Sequence, residues 1–147
     1  MITPEEAELP TSDRLHRNAP QTGVRVLLVE DDRALRRYLE VLLERAGYEV
    51  ASATDGLEAM KILLSETVEV VITDAVMPNL NGYELSRFVR KSQRLEHLPI
   101  VLLSGSDQKD AGPGTEYVNA FLSKPVSTEE LLECLERLTV AASSIRD

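Results

Sequence analysis

Apolar residues fall in five short runs separated by stretches with helical periodicity. The runs are Val24 to Val29 (Val-Arg-Val-Leu-Leu-Val), Tyr48 to Ala53, Val70 to Thr73, Pro99 to Leu103 and Ala120 to Leu122. Continuous runs rich in branched side chains suit strands buried on both faces. After the first run, Leu35, Leu39, Leu42 and Ala46 recur at helical spacing, and Tyr38 and Leu43 widen the stripe. Gly47 ends that helix. Asp55-Gly56 reads as a turn into a second helix that packs through Leu57, Met60, Leu63 and Leu64. Tyr83 to Gln93 gives a third, with Leu85, Phe88 and Val89 inward. A last helix starts behind a Ser127 or Thr128 cap and buries Leu131, Leu135 and Leu138, flanked by Leu132 and Cys134.

Strands alternating with helices predict a parallel sheet covered on both sides, an α/β fold. The alternation breaks once, at Asp107-Gln108-Lys109-Asp110-Ala111-Gly112-Pro113-Gly114. Two glycines and a proline in three positions cost a helix roughly 5 kcal/mol in propensity, so no regular helix is expected before Thr115.

A chain of 147 residues, 43% hydrophobic and 28% charged, fits one soluble domain with a proper core. Residues 23–142 are expected to form it. Residues 1–22, polar and carrying Pro4, Pro10 and Pro20, read as a flexible tail, although Thr3-Pro4-Glu5-Glu6 has the spacing of a short capped helix. Residues 143–147 form a second tail. No apolar run approaches the roughly 20 residues of a membrane helix, and Met1 to Glu6 lacks the start of a secretory signal. The expected location is the cytoplasm.

A net charge of −9 argues against non-specific nucleic-acid binding and for cation or protein partners. Cys134 is the only cysteine, which excludes an internal disulfide and a thiolate metal cage, and His16 and His97 are too few for a histidine site. Any metal held here would be a hard cation on oxygen ligands, such as Mg²⁺.

Polar residues follow the apolar runs at four places: Glu30 and Asp31, Asp74, Ser104 and Lys124. A polar residue at a strand end is ordinarily only a turn. In a parallel sheet, however, all four strand ends share one edge, where open α/β folds place their ligands. Carboxylates crowded together repel unless a cation sits among them. Asp74 can attack phosphorus to give an aspartyl-phosphate, while Lys124 and the Ser104 hydroxyl stabilise phosphoryl oxygens.

Four motifs carry a family resemblance: Leu-Leu-Val-Glu-Asp-Asp, Ile-Thr-Asp-Ala-Val-Met-Pro-Asn-Leu-Asn-Gly, Leu-Leu-Ser-Gly and Phe-Leu-Ser-Lys-Pro-Val. From about Val24 to Ala141 the chain resembles the receiver domain of two-component response regulators. The resemblance implies a doubly wound, CheY-like sheet of strand order 2-1-3-4-5. It also implies transfer of a phosphoryl group from a histidine kinase or phosphotransfer protein to Asp74. Carried over residue by residue, it makes Asp31 and Asp74 direct Mg²⁺ ligands, Glu30 a ligand through water, and the Val76 backbone carbonyl the third protein ligand. Glu30 with Asp31 is favoured as the acidic pair over Asp31 with Asp32. The Lys124-Pro125 bond is expected to be cis, and Phe121 is the expected switch aromatic, biased inward.

Two departures bear on output. The Gly112-Pro113-Gly114 break falls where the family has its fourth helix, so that helix is expected to be short or irregular and homodimerisation through its face doubtful. With nothing after Asp147, no DNA-binding domain is expected in the chain, and output would be contact with a downstream protein, passage of the phosphoryl group onward, or part of a larger kinase. A haloacid-dehalogenase-type hydrolase needs an acid where Val76 stands. A flavodoxin-like module needs a phosphate loop where Glu30-Asp31-Asp32 would repel phosphate. A pseudo-receiver would lack part of the set.

Overall fold

The computed structural model describes residues 22–105 and 115–146. Nearly all of the expected N-terminal tail, and the break from Asp107 to Gly114, lie outside them. The strands are β1 (Arg25–Val29), β2 (Glu49–Ala53), β3 (Val70–Asp74), β4 (Ile100–Ser104) and β5 (Ala120–Ser123). The helices are α1 (Arg33–Arg45), α2 (Gly56–Ser65), α3 (Gly82–Lys91) and α4 (Thr128–Arg146). A 3₁₀ turn, Thr115–Tyr117, precedes β5, and α4 continues across the boundary at 142 expected between domain and tail.

The strands form one sheet of order β2-β1-β3-β4-β5, and all four pairings are parallel. Alternation of side chains divides the core in two. Leu27, Val29, Val71 and Ile100 face α2 and α3, meeting Ala59, Leu63, Leu85 and Val89. Val26, Leu28, Val70, Ile72, Val101 and Leu103 face α1 and α4, meeting Leu39, Leu43, Leu131, Cys134 and Leu135. Each fully buried Leu or Ile contributes roughly 1.5–3 kcal/mol of transfer free energy. The sheet edge is therefore backed by apolar core on both faces.

The caps follow from the sequence. Asp32 accepts from the Leu35 N–H at 2.9 Å, and Asp55 accepts from the Glu58 N–H at 2.9 Å. Asn81 and Glu84 form a reciprocal capping box, both bonds 2.9 Å. Ser127 caps α4 by accepting from the Glu130 N–H, while Thr128 shares a hydrogen bond with the Tyr38 hydroxyl.

Two packing expectations need correction. In α2 the buried residues are Gly56, Ala59 and Leu63, and Leu57 and Leu64 are 48% and 63% exposed. At 100° per residue, Leu57 and Leu64 fall on the far side of the helix from Ala59. The small Ala59 marks the close approach to the sheet, and choosing the largest apolar residues rotates the stripe wrongly. Tyr38 likewise lies on the exposed flank of α1.

Gly82 sets the spacing between α3 and the end of β3. A Cβ there would overlap the Asp74 carbonyl oxygen and come within 2.9 Å of Leu102 Cδ1. Gly82→Ala is expected to cost about 1–3 kcal/mol through this overpacking, read as a lower urea midpoint. Gly105→Ala, where no described atom lies within 4 Å of the added carbon, serves as the near-neutral control. Equal midpoints for the two variants would refute the close-approach argument.

Candidate functional site

The carboxyl ends of β1, β3, β4 and β5 bring the predicted residues to one edge. Glu30 follows β1, with its N–H bonded to the Ala53 carbonyl at 3.0 Å. Asp74 closes β3 in register with Leu103, Ser104 closes β4 in register with Ser123, and the Lys124 N–H extends that ladder to the Ser104 carbonyl at 2.8 Å. Glu30, Asp74 and Ser104 are all buried, whereas Asp31 is exposed.

Lys124 Nζ lies between the two buried acids, 3.2 Å from Glu30 Oε1 and 3.1 Å from Asp74 Oδ2. The other Glu30 oxygen accepts from the Asp32 N–H at 3.0 Å. Burial raises the Glu30 carboxyl above its ordinary range, and the Asp74 charge adds to this; the Asp32 N–H and Lys124 oppose without cancelling. For Lys124, burial pulls downward, but its contacts with Asp74 and Glu30 win and raise its pKa.

Glu30, Asp31 and Asp74 each place a carboxylate oxygen so that the three lie within 4.8 Å of one another. That donor set, all oxygen and strongly anionic, suits a hard divalent cation. Asp32 turns away to cap α1, so the pair facing Asp74 is Glu30 with Asp31. Arg36 Nη1 donates to the Glu30 carbonyl at 2.8 Å and reaches that of Asp31 at 3.5 Å, fastening the acidic loop from behind.

Val76 is 71% exposed between buried Ala75 and Met77. Phe121 is half-buried in the middle of β5; its neighbours Ala120 and Leu122 pack on the α1–α4 side, so its ring leaves from the opposite face. The Lys124-Pro125 bond is cis, as expected.

One part of the site escaped the sequence reading. Asp55 uses one oxygen to cap α2 and the other to accept from Asn79 Nδ2 at 2.9 Å. Asn79 has φ 69°, a left-handed conformation that Asn tolerates better than most residues. The Met-Pro-Asn sequence hinted at such a turn, but nothing in it named the partner 24 residues earlier.

Comparison with known proteins agrees with this geometry. Residues 26–136 match the model of the response regulator receiver domain family. The transcriptional regulatory protein GltR of Pseudomonas aeruginosa is 37% identical over 118 residues, 79% of this chain and 49% of that protein. The sensor kinase/phosphatase CqsS of Vibrio cholerae is 35% identical over 111 residues, 74% of this chain and 16% of that protein. The chain thus spans half or less of these curated relatives. Among solved structures, the response regulator TrrA of Thermotoga maritima, in complex with Mg²⁺ and BeF, superposes with a TM-score of 0.73 at 29% identity, covering 78% of this chain and 98% of that one.

The Asp55 carboxyl is held below its ordinary range by the Glu58 N–H and by Asn79. A depressed native pKa stabilises the fold above the unfolded-state value, and that stability is lost as pH falls through the native one. Asp55→Asn removes this term, so its stability should fall less steeply than the wild type's on acidification through the carboxylate range. Parallel acid limbs in thermal melts would show that the carboxylate is not linked to folding.

Proposed function

The chain belongs to the response regulator receiver domain family, and we propose that within it Asp74 takes up a phosphoryl group from a phosphohistidine. The family makes it a signalling phosphoacceptor of a two-component system rather than a turnover enzyme, and implies a histidine kinase as partner. The observation that carries the proposal for Asp74 is the Lys124 ammonium at 3.2 and 3.1 Å from Glu30 and Asp74, beside an acid triad within 4.8 Å.

An Asp74 carboxylate oxygen attacks phosphorus, the new P–O bond forms as the P–N bond of the donor breaks, and the imidazole leaves with the electron pair and takes a proton. Lys124 and the Ser104 hydroxyl stabilise the phosphoryl oxygens. Asp31 and Asp74, the Val76 backbone carbonyl, and Glu30 through water would hold Mg²⁺. When bound, that ion supplies positive charge against the charge on the phosphoryl oxygens. Phe121 is the proposed aromatic that responds to the Ser104 hydroxyl.

Receivers occur in relatives with different outputs: GltR is a transcriptional regulatory protein and CqsS a sensor kinase/phosphatase. For this chain we place the donor as a histidine kinase or histidine phosphotransfer protein and the output as contact with a downstream protein, without direct nucleic-acid binding, in the cytoplasm. No helix of the described residues is long and apolar enough to cross a membrane.

With acetyl phosphate as donor, intact-mass measurement should show one added phosphoryl group in the presence of Mg²⁺ and none with EDTA or in Asp74→Asn. No gain in the wild type would refute Asp74 as acceptor. Lifetime gives a second expectation. The Val76 side chain offers no hydrogen bond to orient an attacking water, so Val76→Asn should lose its phosphoryl group faster than the wild type. A longer-lived phosphoprotein in the variant would contradict that.

A further inference from the structure

We infer that Asn79 and Asp55 are positioning residues for the phosphoryl site, their side-chain hydrogen bond fixing the loop that carries the Val76 carbonyl. This rests on the reading of Asp74 as phosphoacceptor and extends it to residues outside the acid cluster.

The loop 75–81 leaves β3 at Asp74 and enters α3 at Gly82. Its ends are well held: the Ala75 N–H donates to the Leu103 carbonyl, and the Gly82 N–H to the Ala75 carbonyl, both at 3.0 Å. Between them, buried Met77 is the main apolar anchor, and Val76 and Pro78 are exposed. A backbone carbonyl that must serve an octahedral ion tolerates little wander, because Mg²⁺ demands near-ideal geometry. Sites of this kind need support to within about 0.5 Å.

The support comes from α2. Asn79 turns the chain in the left-handed region, and the Leu80 N–H folds back to the Pro78 carbonyl at 2.8 Å. The Asn79 amide reaches Asp55 Oδ2, whose partner oxygen is bound to the Glu58 N–H of the first turn of α2. Since Ala59 and Leu63 seat α2 in the core, the loop is tied to a rigid element. The next residue tightens the contact, because any side chain at Gly56 would overlap the Leu80 carbonyl oxygen. Asp55 therefore has two tasks: one oxygen caps the helix, and the other holds the metal-site loop against it.

Asn79→Gly tests this, since glycine allows the left-handed backbone and removes the amide. Calorimetric titration with Mg²⁺ should show a Kd raised roughly 10-fold, the lower end of what lost outer-shell partners cost. Phosphorylation by acetyl phosphate should be slow at low Mg²⁺ and recover at saturating Mg²⁺. Asp55→Ser, which keeps a capping oxygen for the Glu58 N–H but has no second oxygen for Asn79, should show the same shift and carries the comparison if Asn79→Gly does not fold. The double variant should be no worse than the single one, because both break one bond. A variant that melts lower yet binds Mg²⁺ as the wild type does would make the tether purely structural and overturn the inference. A wild-type chain that takes up neither Mg²⁺ nor phosphate overturns the reading of Asp74 and the inference with it.

Discussion

The ammonium of Lys124 between the carboxylates of Glu30 and Asp74 is the contact on which the rest of the site depends. Two carboxylates buried side by side repel and lose hydration. One cation within 3.2 Å of both offsets part of that cost. It does so only because β5 lies beyond β4 and its carboxyl end points the same way as those of β1 and β3. The parallel sheet is thus the means by which acids 44 residues apart and a lysine 50 residues further on share a few ångströms. Such a pair is weak support for stability. The apolar core on both faces supplies the stability that tolerates it.

The surroundings of Asp74 are held by backbone contacts more than by side chains. Gly82 lets α3 lie against the Asp74 carbonyl, and Gly56 lets α2 lie against Leu80. The first turns of two helices thus clamp both sides of the loop that follows the acceptor. Arg36 does the same for the opposite loop, gripping the carbonyls of Glu30 and Asp31. Two caps serve a second purpose here: Asp32 starts α1 with its side chain and donates its backbone N–H to Glu30, and Asp55 starts α2 while accepting from Asn79.

Much of this was legible in the chain, for identifiable reasons. Strands buried on both faces are written as uninterrupted apolar runs, and all five lie within a residue or so of where those runs place them. Glu30, Asp74, Ser104 and Lys124 could be read because strand ends in a parallel sheet converge by topology. The order of the strands was not in the periodicity; it came from the family motifs. Three consecutive acids could not be sorted by spacing, and it is the Leu35 N–H, donating to Asp32, that separates the helix cap from the pocket pair. Leu57 and Leu64 mislead because they are the larger apolar residues, whereas close helix–sheet packing selects the small Ala59. The Asp55–Asn79 bond was invisible because two polar residues in separate turns carry no mark of their pairing.

The last strand shows how polar contacts secure an edge that the core covers only in part. Residues Ala120–Ser123 are only partly buried, and β5 lies at the margin of the sheet. It is fastened at both ends by polar groups. At its start, the Asn119 N–H pairs with the Ile100 carbonyl, and Asn119 Oδ1 accepts from the Ile100 N–H at 2.8 Å and from Arg90 Nη2 at 2.6 Å. Arg90 also holds the Leu98 carbonyl, so that end belongs to α3 and the base of β4. At its finish, Lys124 reaches the acids. A short edge strand whose residues are none of them fully buried is thus held in register by polar contacts at both ends, with Ala120 and Leu122 resting on the core beneath it.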